Sequence, residues 1–266
     1  MKIGVFDSGL GGLFIVKMLR RALPEYDYIY LGDTLNIPYG KRSTEAIYCY
    51  TEKAVDYLFK QQDCHLIIIA CNTASAAALR KLQRHYLVKN FPDRRILGVV
   101  VPVLEEASVQ QYKRIGLIGT HYTVSSNIYH EELQKIDSDI ALFQQATPLL
   151  VPLIEEDGEQ WIASILDQYL SAMLSEDIRA LILGCTHYAY LKPYLNNVLG
   201  LGVDILSQDD IIPEKFINYL RRHPEHESLL SRNGSIEYLV TDLTDSFRET
   251  ACKIIGDTIL LEKIDV

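Results

Sequence analysis

Short apolar runs that close on small or polar residues recur along this chain. They are Lys2–Asp7, Tyr26–Asp33, Leu66–Cys71, Ile96–Val101, Arg114–Gly119, Ile140–Ala146, Ala180–Cys185 and Val203–Ser207. They are continuous and rich in β-branched residues, which suits strands covered on both faces. Between them lie longer segments whose apolar positions recur at helical spacing. These predict helices over Leu13–Leu23, Thr44–Gln61, Ala74–Val88, Val124–Ile136, Gln160–Leu174 and Ile211–Arg222. Strands alternating with helices give an α/β fold built on a parallel or mostly parallel sheet.

The pattern also repeats. Lys2-Ile-Gly-Val-Phe matches Arg114-Ile-Gly-Leu-Ile at an offset of 112 residues. Asn36-Ile-Pro38 matches Leu150-Val-Pro152, and His65 to Thr73 matches Arg179 to His187, both at an offset of 114. Apolar strand starts look alike, so each match alone is weak. Three in one order at nearly one offset predict two related α/β halves, each with a cysteine, Cys71 or Cys185, at the same place.

Composition agrees with that size and narrows the partners. The chain has 266 residues, 48% hydrophobic and 23% charged, with room for about two domains and a core that needs no disulfide or structural metal. Its formal net charge of −9 argues against nucleic acid and anionic membranes as partners, because phosphates demand Lys and Arg. A small anion needs only local donors and stays open. No run reaches 18 apolar residues, so no membrane span is expected, and the first residues do not read as a signal peptide. Five scattered cysteines are no disulfide framework. A reducing cytoplasm, where thiols stay free, is the expected setting.

Cys71 and Cys185 both close a strand and precede a polar turn. In open α/β sheets ligands bind beyond the carboxyl ends of the strands, where a following helix aims its N–H groups and positive dipole end. That setting activates a thiol. A lone cysteine there reads as a small buried hydrophobe, but two at matched strand ends favour chemistry. Cys49, Cys64 and Cys252 have no such pairing.

Asp7 also closes a strand, before Ser8-Gly9-Leu10-Gly11-Gly12. With Phe14 at the sixth position this is no dinucleotide fingerprint; Asp7 either caps the next helix or serves a site, and the two are compatible. His187, two residues past Cys185, either sets the proton state of that thiol or bonds backbone at a strand end. Glu155 and Glu156 read as a carboxylate pair at a helix start, where such pairs answer the dipole. Asn72, Thr73 and Thr186 supply donors beside the thiols, or helix caps. The run His223-Pro-Glu-His226-Glu lacks the His spacing of helical zinc motifs and reads as a solvated loop.

Two thiols facing each other across a cleft can invert a stereocentre. One, as thiolate, removes a proton from carbon, and the other returns a proton to the opposite face. Asp7 would serve Cys71, and Glu155 with His187 would serve Cys185.

At this point a resemblance enters. Phe6-Asp7-Ser8-Gly9-x-Gly11-Gly12-Leu13, Gly32-Asp33-Thr34 leading to Pro38-Tyr39-Gly40, Cys71-Asn72-Thr73-Ala74 and Gly184-Cys185-Thr186-His187-Tyr188 resemble the glutamate racemases of the aspartate/glutamate racemase superfamily, in order and over essentially the whole chain. The resemblance implies interconversion of L- and D-glutamate with no pyridoxal phosphate, metal or other cofactor, supplying D-glutamate for peptidoglycan. It implies two pseudo-symmetric domains with the active site between them. The first is residues 1–97 plus 208–266, and the second, 98–207, is inserted into it. Carried over by position, Cys71 and Cys185 are the acid/base thiols, with Asp7 supporting Cys71, and Glu155 and His187 supporting Cys185. Cys185 would deprotonate the L isomer and Cys71 the D isomer. Ser8, Pro38, Tyr39, Gly40, Asn72, Thr73, Thr120, Thr123 and Thr186 match substrate-holding positions. Family members are commonly dimers, so a homodimer is the implied assembly.

Three departures stand out. Thr147 replaces the usual Cys before Pro148, a place expected to be remote from the motifs. The stretch after His187 lacks a common proline, and Leu206-Ser207 replaces a common Asp-Ser. The rival readings are a racemase of aspartate or another small amino acid on the same scaffold, and a binding or regulatory relative without turnover.

Overall fold

A computed structural model describes residues 1–200 and 202–266. Its strands are β1 (Lys2–Asp7), β2 (Tyr28–Gly32), β3 (Cys64–Ile69), β4 (Arg95–Gly98), β5 (Arg114–Gly119), β6 (Ala141–Ala146), β7 (Ala180–Gly184), β8 (Asp204–Leu206), β9 (Ile236–Val240) and β10 (Leu261–Lys263). They form two sheets, ordered β10-β9-β2-β1-β3-β4 and β6-β5-β7-β8, and the registered pairs are parallel. The repeat seen in the sequence is thus a repeat of topology. The order β2-β1-β3-β4 in one sheet is matched by β6-β5-β7-β8 in the other.

The apolar runs are continuous because both faces of each sheet are covered. Ile3 and Val5 of β1 pack into one cluster with Leu13, Val16 and Leu19 of the helix Gly12–Ala22 and with Ile212 and Phe216 of the helix Gln208–Arg222. Phe6, next along the strand and so of opposite phase, packs on the other face with Val55 and Leu58 of the helix Thr44–Lys60. In the second sheet Ile115 and Leu117 join Val103, Leu104 and Leu133, while Ile118 joins Leu166, Leu170 and Leu183. Alternate residues of one strand therefore feed opposite cores.

Some predicted elements differ. The helix expected over Val124–Ile136 is two, His121–Ser125 and Ile128–Ile136, separated at Asn127, whose left-handed backbone (φ 57°) interrupts the helical path. The run Ile96–Val101 is a strand only to Gly98; Val100 starts a helix to Val109 that the even hydrophobicity hid. Glu155 ends the helix Leu150–Glu155 and does not begin one. The predicted loop at His223 is a short helix, Pro224–Glu227, in which His226 is buried and hydrogen-bonds His65 (3.0 Å). Among the described residues no group of three or more His, Cys, Asp or Glu side chains is placed to hold a metal ion, and no helix is long and apolar enough to cross a membrane.

Candidate active site

The carboxyl ends of β1, β2, β3, β5, β6 and β7 converge on one cavity of about 660 Å³ between the two halves. Both thiols line it. Cys71 follows β3 and caps the helix Asn72–Lys81, its Sγ accepting the Ala74 N–H at 3.4 Å. Ser8 Oγ lies 3.4 Å from the same sulfur. Cys185 follows β7, but what comes next is a 3-10 turn, Thr186–Leu191, and the Cys185 side chain caps nothing. The two thiols therefore occupy matched places with unlike neighbours.

Around Cys71 the environment favours the neutral thiol. Burial, and then the negative charge of Asp7, push its pKa up to about 12, against the donors Ser8 and Ala74. Asp7 lies beneath the cavity, fully buried, and does not line it. Its carboxylate accepts the Gly9 N–H (2.9 Å) and the Thr186 hydroxyl (3.1 Å), and the backbone N–H of Gly12, the first residue of the next helix, favours its charged form, so the capping and site readings coexist. Burial raises its carboxyl above the usual range, opposed by the charge of His187.

Around Cys185 the neighbours are different. His187 Nδ1 lies 3.8 Å from Cys185 Sγ, and His187 Nε2 lies 2.9 Å from Glu155 Oε1. Burial by itself would lower the imidazole pKa. Hydrogen bonding to Cys185 and Glu155 overrides that and holds it well above its ordinary value. His187 thus sits between a sulfur and a carboxylate, and both favour its protonated form.

The expected substrate holders separate into two groups. Ser8, Pro38, Tyr39, Gly40, Asn72, Thr73, Thr120 and Thr186 line the cavity. Thr123 does not: it is fully buried behind Thr120, and its hydroxyl lies 3.0 Å from that of Thr120 and 3.4 Å from that of Thr73. The Tyr39 hydroxyl is committed to Asp33 (2.6 Å), which also accepts from Thr241 (2.8 Å) and so fixes the Pro38–Gly40 loop. Thr147 is not remote. It lines the cavity, hydrogen-bonds Gly119 O (3.1 Å) and meets the Tyr188 hydroxyl at 2.6 Å. Strand matching would have found it, because it follows β6 as Cys185 follows β7. Lys41 and Arg42, both exposed, bring cationic side chains to the rim.

The halves meet closely at Gly11. A Cβ there would overlap the Thr186 hydroxyl and stand 2.7 Å from His187 N. Gly11→Ala is therefore expected to move the Cys185 turn, costing about 1–3 kcal/mol of stability by overpacking and roughly 10² in kcat/KM through misplacement. Thermal unfolding with steady-state kinetics checks this, and wild-type values in both would contradict the contact.

Comparison with known proteins places this geometry. The sequence model of the Asp/Glu/Hydantoin racemase family matches residues 14–207. The chain belongs to that family of racemases. A glutamate racemase of Sulfurihydrogenibium sp. (strain YO3AOP1) is 37% identical over 273 residues, covering 100% of this chain and 98% of the relative. The crystal structure of a glutamate racemase isoform from Bacillus anthracis superimposes with a TM-score of 0.88 at 32% identity, over 100% of this chain and 97% of that one. The Francisella tularensis glutamate racemase, solved in complex with D-glutamate, gives 0.88 at 31% identity over 99% and 97%. Within the family the chain stands with the glutamate racemases.

Proposed function

We propose that this protein interconverts L- and D-glutamate by passing protons between Cys185, Cys71 and opposite faces of the substrate α-carbon, without pyridoxal phosphate or metal. The observation that carries this is the pair of thiols at equivalent strand ends of one cavity, Cys71 with the Asp7 carboxylate beneath it and Cys185 beside His187. Starting from L-glutamate, Cys185 thiolate takes the α-proton and becomes a thiol. The electron pair left on carbon is delocalised into the α-carboxylate. The Cys71 thiol then gives its proton to the other face, leaving Cys71 as thiolate and D-glutamate as product. The reverse reaction begins from that state. Asp7 opposes ionisation of Cys71, and His187, held by Glu155, stands beside Cys185.

The charge developing on the carboxylate needs preorganised donors, and the hydroxyl and amide groups of Ser8, Asn72, Thr73 and Thr186 are the ones at hand. Such donors suit an anionic substrate in a protein of net negative charge. The sheet membership of the strands supports a first domain of residues 1–97 plus 208–266 and a second of 98–207, with β4 running one residue past the first boundary. The five cysteines are free, which suits the reducing cytoplasm this chemistry requires. Supply of D-glutamate to peptidoglycan and assembly as a homodimer follow from the family likeness.

Circular dichroism of L-glutamate incubated with the protein, without added cofactor, tests the reading. The signal should decay to zero, D-glutamate should decay from the opposite sign, and L-aspartate should keep its signal. Comparable loss with aspartate would overturn the substrate, and no loss with either glutamate isomer would overturn the activity.

A further inference from the structure

Asn72 is almost fully buried, yet its side-chain Nδ2 has no hydrogen-bond partner. Of the three buried side-chain atoms in that condition among the described residues, it alone belongs to a residue lining the cavity. Buried donors are nearly always satisfied, so an exception calls for an explanation. The other end of the same amide is saturated. Asn72 Oδ1 accepts the Tyr129 hydroxyl at 2.6 Å and Gln208 Nε2 at 3.1 Å, and Gln208 Nε2 also reaches the Tyr129 oxygen at 3.2 Å.

The three residues come from three parts of the chain. Asn72 opens the helix after Cys71, Tyr129 lies on the helix Ile128–Ile136 over the second sheet, and Gln208 opens the helix that returns the chain to the first. Tyr129 and Gln208 are themselves buried and do not line the cavity. Burial holds the Tyr129 phenol well above its ordinary pKa, so it stays a donor. Gln208 spends its donors on the same two oxygens. With both donors directed at Oδ1, the amide has one satisfied orientation, and it leaves the NH₂ group free.

We infer that Tyr129 and Gln208 are positioning residues: they fix the Asn72 amide so that its NH₂ donates to a carboxylate of the bound substrate, and they make that donor available only when the two halves are together. The inference rests on the racemase reading above. The residue that touches substrate is Asn72; the other two act through it.

The test is a double-mutant cycle on the full chain. Tyr129→Phe keeps the ring and removes only the hydroxyl. It should raise KM for both glutamate isomers about tenfold with little change in kcat, the size expected for one hydrogen bond to a charged group. In an Asn72→Ala background the same change should add less than about twofold, because nothing is left to orient. Gln208→Met should show the same KM effect, and Asn72→Ser serves as the second background for both variants if Asn72→Ala folds poorly. A structural role alone would lower the melting temperature and cost activity equally in both backgrounds. Equal costs in both backgrounds, or an unchanged KM in Tyr129→Phe and Gln208→Met, would overturn the inference and leave the racemase reading intact. A wild-type protein that does not turn over glutamate would overturn both.

Discussion

Cys71→Ser and Cys185→Ser are each expected to lower kcat/KM for glutamate by at least about 10³-fold, within the range that a positioned acid–base group supplies. Serine keeps the size and loses the acidity: its hydroxyl does not ionise where a thiol does. The substitutions should leave the fold standing, because serine is no larger than cysteine and both positions, though members of the two sheet cores, line the cavity. The loss must be the same in both directions. L- and D-glutamate have equal free energies, so the equilibrium constant is one and kcat/KM for the two isomers stays equal in any variant. Asymmetry is confined to kcat and KM separately. The double variant should be hardly worse than either single, since each thiol is useless without the other. Melting curves near wild type with parallel loss of both activities is the expected pair of results. A variant with near-wild-type turnover would remove that residue from the proton path.

His187→Gln carries the second large effect. The imidazolium lies between Cys185 Sγ and Glu155, with its pKa well above the ordinary 6.5. A raised value means the charge is present at neutral pH and is lost only as pH climbs through the raised value. Glutamine fills similar space but carries no charge. The variant should lose about 10² in kcat/KM near neutral pH, the scale of a removed acid–base partner. The alkaline step that marks loss of the imidazolium should vanish from the variant profile. An alkaline limb unchanged in the variant would show that His187 is not the group that titrates there.

The parts of this site that lie on regular strand ends were legible in the sequence. Asp7, Cys71 and Cys185 each close a buried run, and the offset of 114 residues tied the two cysteines before any geometry was known. What could not be read were contacts between elements. Glu155 reaches His187 because it ends a short helix under the Cys185 turn, whereas its place in the sequence suggested a helix start. Thr147 follows the predicted run Ile140–Ala146, but none of the internal repeat matches falls on that strand, so nothing in the sequence tied its end to those of β3 and β7. Thr123 shares its motif with Thr120, but helical spacing turns its side chain away from the cavity. The helix Val100–Val109 was hidden by hydrophobicity too even to show a period. The apolar pattern marks neither β10, which is three residues long at the sheet edge, nor β9, whose apolar end follows the exposed Glu237.

The two-thiol path is tested most directly by following hydrogen at the α-carbon during turnover of L-glutamate in D₂O. With one thiol per face, the group that delivers the new hydrogen is not the one that removed the old. Early in the reaction the D-glutamate formed should carry deuterium at Cα, while the remaining L-glutamate keeps its protium. D-glutamate that retains protium, or L-glutamate that gains deuterium as fast as product forms, would contradict it, because either result places removal and return on a single group.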